Sequence, residues 1–333
     1  MRNLIIGVDG GASGTQAVIA DRTGQVLGKY LAAASNIYAV GEDGATAALD
    51  AVVSGVLRVA GRPLSDVAVI ALGLAGLNHA VDRVVYESIL ARLNWGDVEI
   101  VLENDVVIAW AGATRCQPGL AVIAGTGCNA FGINAAGERW RASGWDYLLA
   151  DEGSAYWIGL QGLRAAMRAY DGRGPETLLA QAVKSEYRLA EVSDLLRVVY
   201  APNFGKTVTA AFARRVSGCA DKGDKVAQAI LREAGEEVAL AANAVIRKLD
   251  MANVEFAVGL TGGVMRSGGL VRETFDAAVH AVAPKARIAL VEYPPAIGAL
   301  FLAFYQSGQL TDELVKRIEA SAGDMLAQIQ AKG

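Results

Sequence analysis

Two stretches of this chain repeat one pattern: an apolar run, a turn of glycine and small hydroxyl residues, then a second apolar or β-branched run. The first is Val8 to Asp21, VDGGASGTQAVIAD, which follows Leu4, Ile5 and Ile6; the second, LAVIAGTGCNAFGIN, starts at Leu120. A P-loop would carry Gly-Lys-Ser/Thr at the end of the turn and open a helix directly. The first turn holds no lysine, and its continuation from Gln16 to Ala20 is short, β-branched and apolar. The glycines therefore sit at the bend of a β-hairpin. A third short strand follows each hairpin, in DRTGQVLGKYL and in GERWRAS.

The spacing after the first hairpin predicts a helix over GATAALDAVVSGVLRVA, a buried strand over DVAVIALGLAG, a helix over VDRVVYESILARL and a strand over VEIVLEND. Such alternation implies an α/β layer structure. The pattern restarts at Leu120, so the chain reads as internally duplicated. A mainly helical stretch runs from about Ser154 to Leu249. FAVGLTGGVMRSGGL then reads as a strand, a glycine turn and a helix, RIALVEY as a strand, and helices start at Pro295 and Thr311. Gln117-Pro118 is the expected boundary, giving domains 1–117 and 118–333, with the last helix packing back on the first. The absence of a long Ser/Pro linker favours two lobes packed about a hinge over tethered domains.

At 333 residues and 53% hydrophobic composition the chain can bury large cores. Its formal charge of -4 supplies no basic stripe, which argues against nucleic acid as a partner. The N-terminus reaches its first glycine too soon for a signal peptide, and no apolar run approaches membrane-spanning length. A cytoplasmic protein with no membrane partner is expected. Cys116, Cys128 and Cys219 are an odd set with no Cys-x-x-Cys pair, so free thiols are expected rather than disulfides or zinc. With only His79 and His280 present, acid-base chemistry falls to carboxylates.

A single glycine turn is compatible with an ordinary hairpin connection, but DGGASGT, AGTGCN and TGGV each follow an apolar strand. Glycine lets backbone N–H groups approach phosphate oxygens, and Ser13, Thr15 and Thr126 can add hydroxyl donors. Two such hairpins can clasp a polyphosphate. Gly262 and Gly263, at a helix start, can admit a flat purine. Asp9 ends the first strand, where it either braces the hairpin or takes a divalent cation through one carboxylate and retained waters. Asp105, where a strand stops and a helix begins, is either an N-cap or a carboxylate projecting outside the strand ends.

In motif order the three turns resemble the first phosphate, second phosphate and adenosine motifs of the actin, hexokinase and heat-shock chaperone superfamily. GWDYLLADEGSAYWIGLQGLRAAM is similar to the signature segment of the N-acetylglucosamine kinases and their relatives in the BadF/BadG group. The resemblance spans roughly Ile5 to Ala303. It implies an α/β, two-lobed actin/hexokinase-like (ribonuclease H-like) fold, with duplicated βββαβαβα domains around an ATP cleft.

The activity it implies is ATP-dependent phosphorylation of the 6-hydroxyl of N-acetylglucosamine, glucosamine or N-acetylmuramic acid by a homodimer using Mg2+. Asp105 becomes the base that takes the acceptor proton, and Asp9 the metal ligand. Gly10, Gly11, Ser13, Thr15, Thr126, Gly127, Gly262 and Gly263 become the ATP site. Asn36, Asn129, Gly144, Trp145 and Asp151 become the sugar site. Cys128 stands where the eukaryotic enzymes have serine and Ser13 where they have threonine; Asn104 before Asp105 differs too.

Two alternatives stay open. One is an ATPase activator of a 2-hydroxyacyl-CoA dehydratase-type enzyme, with an iron-sulfur cluster shared between two subunits through Cys116 and Cys128. The other is an ATP-gated module in which Asp105 is only a cap. The segment 172–202 matches no motif.

Overall fold

The computed structural model describes residues 2–267 and 269–330, with 324–330 as backbone alone. Residues 1 and 331–333, at the ends of the two expected domains, lie outside the described residues. Three antiparallel strands come first: β1 (Leu4–Gly10), β2 (Thr15–Asp21) and β3 (Val26–Ala32). Helix α1 (Ile37–Ala60), β4 (Val67–Leu74), α2 (Ala80–Leu93), β5 (Glu99–Glu103) and α3 (Asp105–Thr114) complete a sheet of order β3-β2-β1-β4-β5. Strand β1 is buried along almost its whole length, which is why it reads as a continuous apolar run rather than an alternating one. β1, β4 and β5 are parallel, so their carboxyl ends share one edge of the sheet.

Helix α1 begins at Ile37, earlier than the periodicity from Gly44 predicts. The difference is a turn capped by Asn36 and broken at Gly41, whose φ of 69° is non-helical and interrupts the apolar spacing.

The second sheet uses β6 (Gly119–Ala124), β7 (Cys128–Ile133) and β8 (Arg139–Ser143), again antiparallel. Six helices follow: α4 (Ala155–Tyr170), α5 (Leu178–Tyr187), α6 (Leu195–Val199), α7 (Lys206–Ala211), α8 (Ala213–Asp221) and α9 (Lys225–Lys248). Then come β9 (Phe256–Thr261), α10 (Gly263–Arg266), α11 (Gly269–His280) and β10 (Ala286–Leu290). The order is β10-β9-β6-β7-β8, with β6, β9 and β10 parallel. Read from the β8 edge it repeats the first sheet. Helix α12 (Pro295–Gln306) and α13 (Asp312–Gln330) end the chain.

The contacts divide the chain into two compact units, one holding residues up to Gln117 together with those from Val291 onward, the other Pro118–Leu290. The first unit thus includes α12 as well as α13, more than the last helix that the sequence reading returns to it. The reason is apolar area: every residue from Ala296 to Phe304 is buried, and a helix apolar on all faces needs neighbours on all sides. It finds them in β1 and α3. A Cβ on Gly7 would lie 2.4 Å from the Ala296 carbonyl oxygen, and one on Gly298 would lie 2.0 Å from that of Ile108. Burying Phe301 and Phe304 alone contributes about 3 to 6 kcal/mol. Helix α13 is tied to the start of β3, where the Ser321 hydroxyl accepts from the Val26 N–H at 2.8 Å.

No helix among the described residues is long and apolar enough to cross a membrane.

Candidate active site

In the first unit the predicted residues gather at the carboxyl ends of β1, β4 and β5. The glycine turn is closed by Gly11 N–H donating to Gly14 C=O at 2.9 Å. The segment leading into α1 holds it from the side, with Ser35 N–H donating to Gly11 C=O at 3.2 Å. Thr15 is buried, and its hydroxyl donates to the Ala33 carbonyl at 2.7 Å. That bond commits its one proton, so Thr15 pins the turn rather than offering a donor to phosphate. Ser13 is exposed. Asn36 caps α1, its Oδ1 accepting from Tyr38 N–H at 2.9 Å, which leaves its amide donor for a ligand.

Asp105 is the first residue of α3, and the cap is its neighbour: Asn104 Oδ1 accepts from Val106 N–H at 3.0 Å. The Asn104 amide also donates to the Leu77 carbonyl at 3.0 Å, fastening the loop after β4. Asn104 therefore removes the capping duty that competes with a chemical role for Asp105, a division that the Asn-Asp pair in the sequence does not reveal. Burial pushes Asp9 up to about 7, and the charge of Asp105 adds to the rise, so the two carboxylates act on one another. Two neighbouring carboxylates at the end of a sheet suit Mg2+, which takes one or two protein carboxylates and completes its shell with water and phosphate.

In the second unit the turn between β6 and β7 is closed by Gly125 N–H donating to Gly127 C=O at 2.9 Å, and Thr126 at its tip is exposed. The start of α4 docks there, with Ala155 N–H donating to the Gly125 carbonyl at 2.8 Å. Asp151 is buried at 3% exposure, with Oδ1 accepting from Cys128 N–H and Oδ2 from Lys206 Nζ, each at 2.9 Å. A Cβ on Gly127 would lie 2.7 Å from Asp151 Oδ2. Asp151, expected to contact sugar, is thus a brace under the phosphate turn. Lys206 also pairs with Asp146 and lies 5.5 Å from the centre of the Tyr147 ring. Burial works against its charge, but the bonds from Asp146 and Asp151 raise its pKa overall. Sequence reasoning misses Lys206, because nothing in its neighbourhood marks it and its partners are far away in the chain.

The Asn129 side-chain oxygen is buried without a hydrogen-bond partner among the described residues, against Gly144, where a Cβ would meet the Asn129 amide nitrogen at 2.8 Å. Trp145 is 48% exposed and carries the Arg141 guanidinium 4.4 Å above its ring, so it is not part of the core. Gly262 has φ 96°, and a Cβ there would lie 2.2 Å from the Ala124 carbonyl oxygen, so the third glycine turn abuts the second. Next to it, Gly263 has nothing within 4 Å of its Cβ position, an open niche beside bare backbone.

Cys116 and Cys128 are both buried, and burial pushes each thiol up to about 12. A cluster shared between two subunits needs its cysteines at the surface, and exposures of 4% and 2% oppose the iron-sulfur alternative.

The sequence profile described as the BadF/BadG/BcrA/BcrD ATPase family matches residues 6–303. The chain belongs to that family. This BadF/BadG/BcrA/BcrD ATPase family member is 30% identical over 299 residues to the N-acetylmuramic acid/N-acetylglucosamine kinase of Clostridium acetobutylicum, covering 90% of this chain and 97% of that one. It is 31% identical over 317 residues to the N-acetyl-D-glucosamine kinase of Dictyostelium discoideum, covering 91% and 98%. A solved Chromobacterium violaceum structure, provisionally named an N-acetylglucosamine kinase, superposes with a TM-score of 0.73 at 26% identity, over 90% of this chain and 99% of that one. The duplicated sheet order is therefore that of an actin-like sugar-kinase fold.

Proposed function

We propose that this family member is an ATP-dependent amino-sugar kinase that transfers the γ-phosphate to the 6-hydroxyl of N-acetylglucosamine or a close relative. Glucosamine and N-acetylmuramic acid are the other acceptors in view. The carrying observation is Asp105 at the start of α3, with Asn104 taking over the helix cap and Asp9 close enough to feel its charge. Relatives that share most of the chain carry amino-sugar kinase names.

Asp105 is the base that orients the acceptor hydroxyl and takes its proton as the oxygen attacks phosphorus. Mg2+, held by Asp9 and water, supplies neutralisation of phosphate charge when bound. In this reading the phosphate contacts fall to Ser13, on a turn shaped by Gly10 and Gly11, and to Thr126 and Gly127. The niche at Gly262 and Gly263 takes the adenosine. Asn36 donates to a sugar hydroxyl, Asn129 accepts from one, and Gly144 and Trp145 present backbone and an apolar face to the ring. Asp151 and Lys206 position the second turn. The same reading takes the protein as a cytoplasmic homodimer, which sedimentation can check.

The test is ADP release, coupled to a spectrophotometric readout, over a panel of hexosamines and plain hexoses. Amino-sugar-dependent release supports the reading; equal ATP hydrolysis with and without every sugar overturns it.

A further inference from the structure

Apart from Lys206, the segment between α4 and α8 has no part in the kinase reading, and it builds a cavity. Within the second unit, α4 and residues 195–209 line an open pocket of about 480 Å³. Leu160, Leu163 and Met167 of α4 form one wall; Leu195, Val199 and Phe204 form the other. That volume lies in the range of sites for small organic ligands.

Three arginines also line it, and they are not equivalent. Arg173 is held in a fork by Asp171, with contacts of 2.9 and 2.6 Å. Arg164 and Arg168, one turn apart on α4, are exposed, and their guanidinium groups form no ion pair or hydrogen bond among the described residues. Like charges at this spacing on a helix repel one another, a cost that an anion between them removes. Asp171 is forked by Arg173 and also feels the charge of Arg168, and Glu233 shares an adjoining recess of about 260 Å³ with all three arginines, but neither acid forms a salt bridge with Arg164 or Arg168.

We propose that this cavity is a binding site for a small amphiphilic anion, its apolar body among the leucines and its carboxylate between Arg164 and Arg168. A neutral apolar molecule leaves the two cations unsatisfied. A wholly polar anion leaves the apolar walls without partners. The proposal stands apart from the kinase reading and survives its failure.

Calorimetric titration of the full chain with sodium octanoate, and separately with 1-octanol, tests it. Octanoate is expected to bind saturably at one site, about tenfold or more tighter than octanol. The double variant Arg164→Gln/Arg168→Gln brings octanoate down to the octanol level. Leu196→Glu, at a wall residue that is 63% exposed, places a like charge at the mouth and abolishes octanoate binding without a folding cost. Equal affinities for the two probes overturn the proposal, as does octanoate binding that neither variant alters. Octanoate binding that weakens as the protein is concentrated means that a second copy of the chain covers the cavity, and also overturns it.

Discussion

Asp151 accepts a hydrogen bond from Lys206 at 2.9 Å while its other oxygen accepts the backbone N–H of Cys128 at the same distance. The pair joins the start of α7 to the first residue of β7, so the helical segment sets the position of the second glycine turn. Removing one partner from a carboxylate this deeply buried costs stability.

Lys206→Met removes one partner and leaves the charge uncompensated. A stability loss of about 2 kcal/mol is expected by chemical denaturation, together with a rise in KM for ATP larger than the fall in kcat. An unchanged midpoint and unchanged KM mean that the turn does not depend on the pair.

Asp105→Asn keeps the size and polarity of the side chain and removes the base. Turnover should fall at least about a hundredfold while sugar affinity changes little, because a positioned base typically contributes 10² to 10⁴ in rate. Turnover and sugar affinity measured together decide it, and near-normal turnover removes Asp105 from the chemistry.

Two adjacent glycines should respond oppositely to alanine. Gly262→Ala meets both a φ of 96° and the Ala124 carbonyl, so a loss of about 1 to 3 kcal/mol is expected in thermal unfolding. Gly263→Ala meets nothing within 4 Å among the described residues outside its own helix, so the melting temperature should hold or rise. Its added methyl narrows the niche proposed for adenosine, and KM for ATP should rise. An unchanged KM places the base elsewhere.

Asp224 caps α9 through Ala227 N–H at 2.9 Å and also accepts from the Thr177 hydroxyl at 2.8 Å, tying α5 to α9. Burial pushes its carboxyl up, but these bonds, with one from Leu178 N–H, outweigh that and hold it below the usual carboxylate range. A depressed folded-state pKa contributes stability above the unfolded value near 3.9, and that stability is lost as pH falls through the folded value. Asp224→Asn should therefore lower stability at neutral pH by about 1 kcal/mol and flatten the acid limb of the stability curve. A variant whose curve keeps the original slope below pH 5 assigns the acid sensitivity to another group.

Much of the site is legible locally. The hairpin turns announce themselves because their glycines and small hydroxyls interrupt apolar strands, and Asp9 and Asp105 stand where strands end. The roles of Thr15 and Asp151 are not legible. Each has the right chemistry for a ligand contact, but each is committed, one to the Ala33 carbonyl and the other to Lys206 and Cys128. Asn104 is a middle case: its cap is predictable from residue type, but the neighbouring Asp is an equally good cap on paper.

By itself the sequence determined the duplicated strand and helix pattern, the three glycine turns and the carboxylates Asp9 and Asp105 at strand ends. Those features depend on backbone preferences and side-chain spacing within a few residues. Only the tertiary structure decided that α12 completes the first unit, that Lys206 reaches Asp151 across 55 positions, and that Arg164 and Arg168 border an apolar cavity. Burial of a fully apolar helix, or of a charge that must find a partner, is settled by which distant surfaces meet, and residue order does not encode that locally.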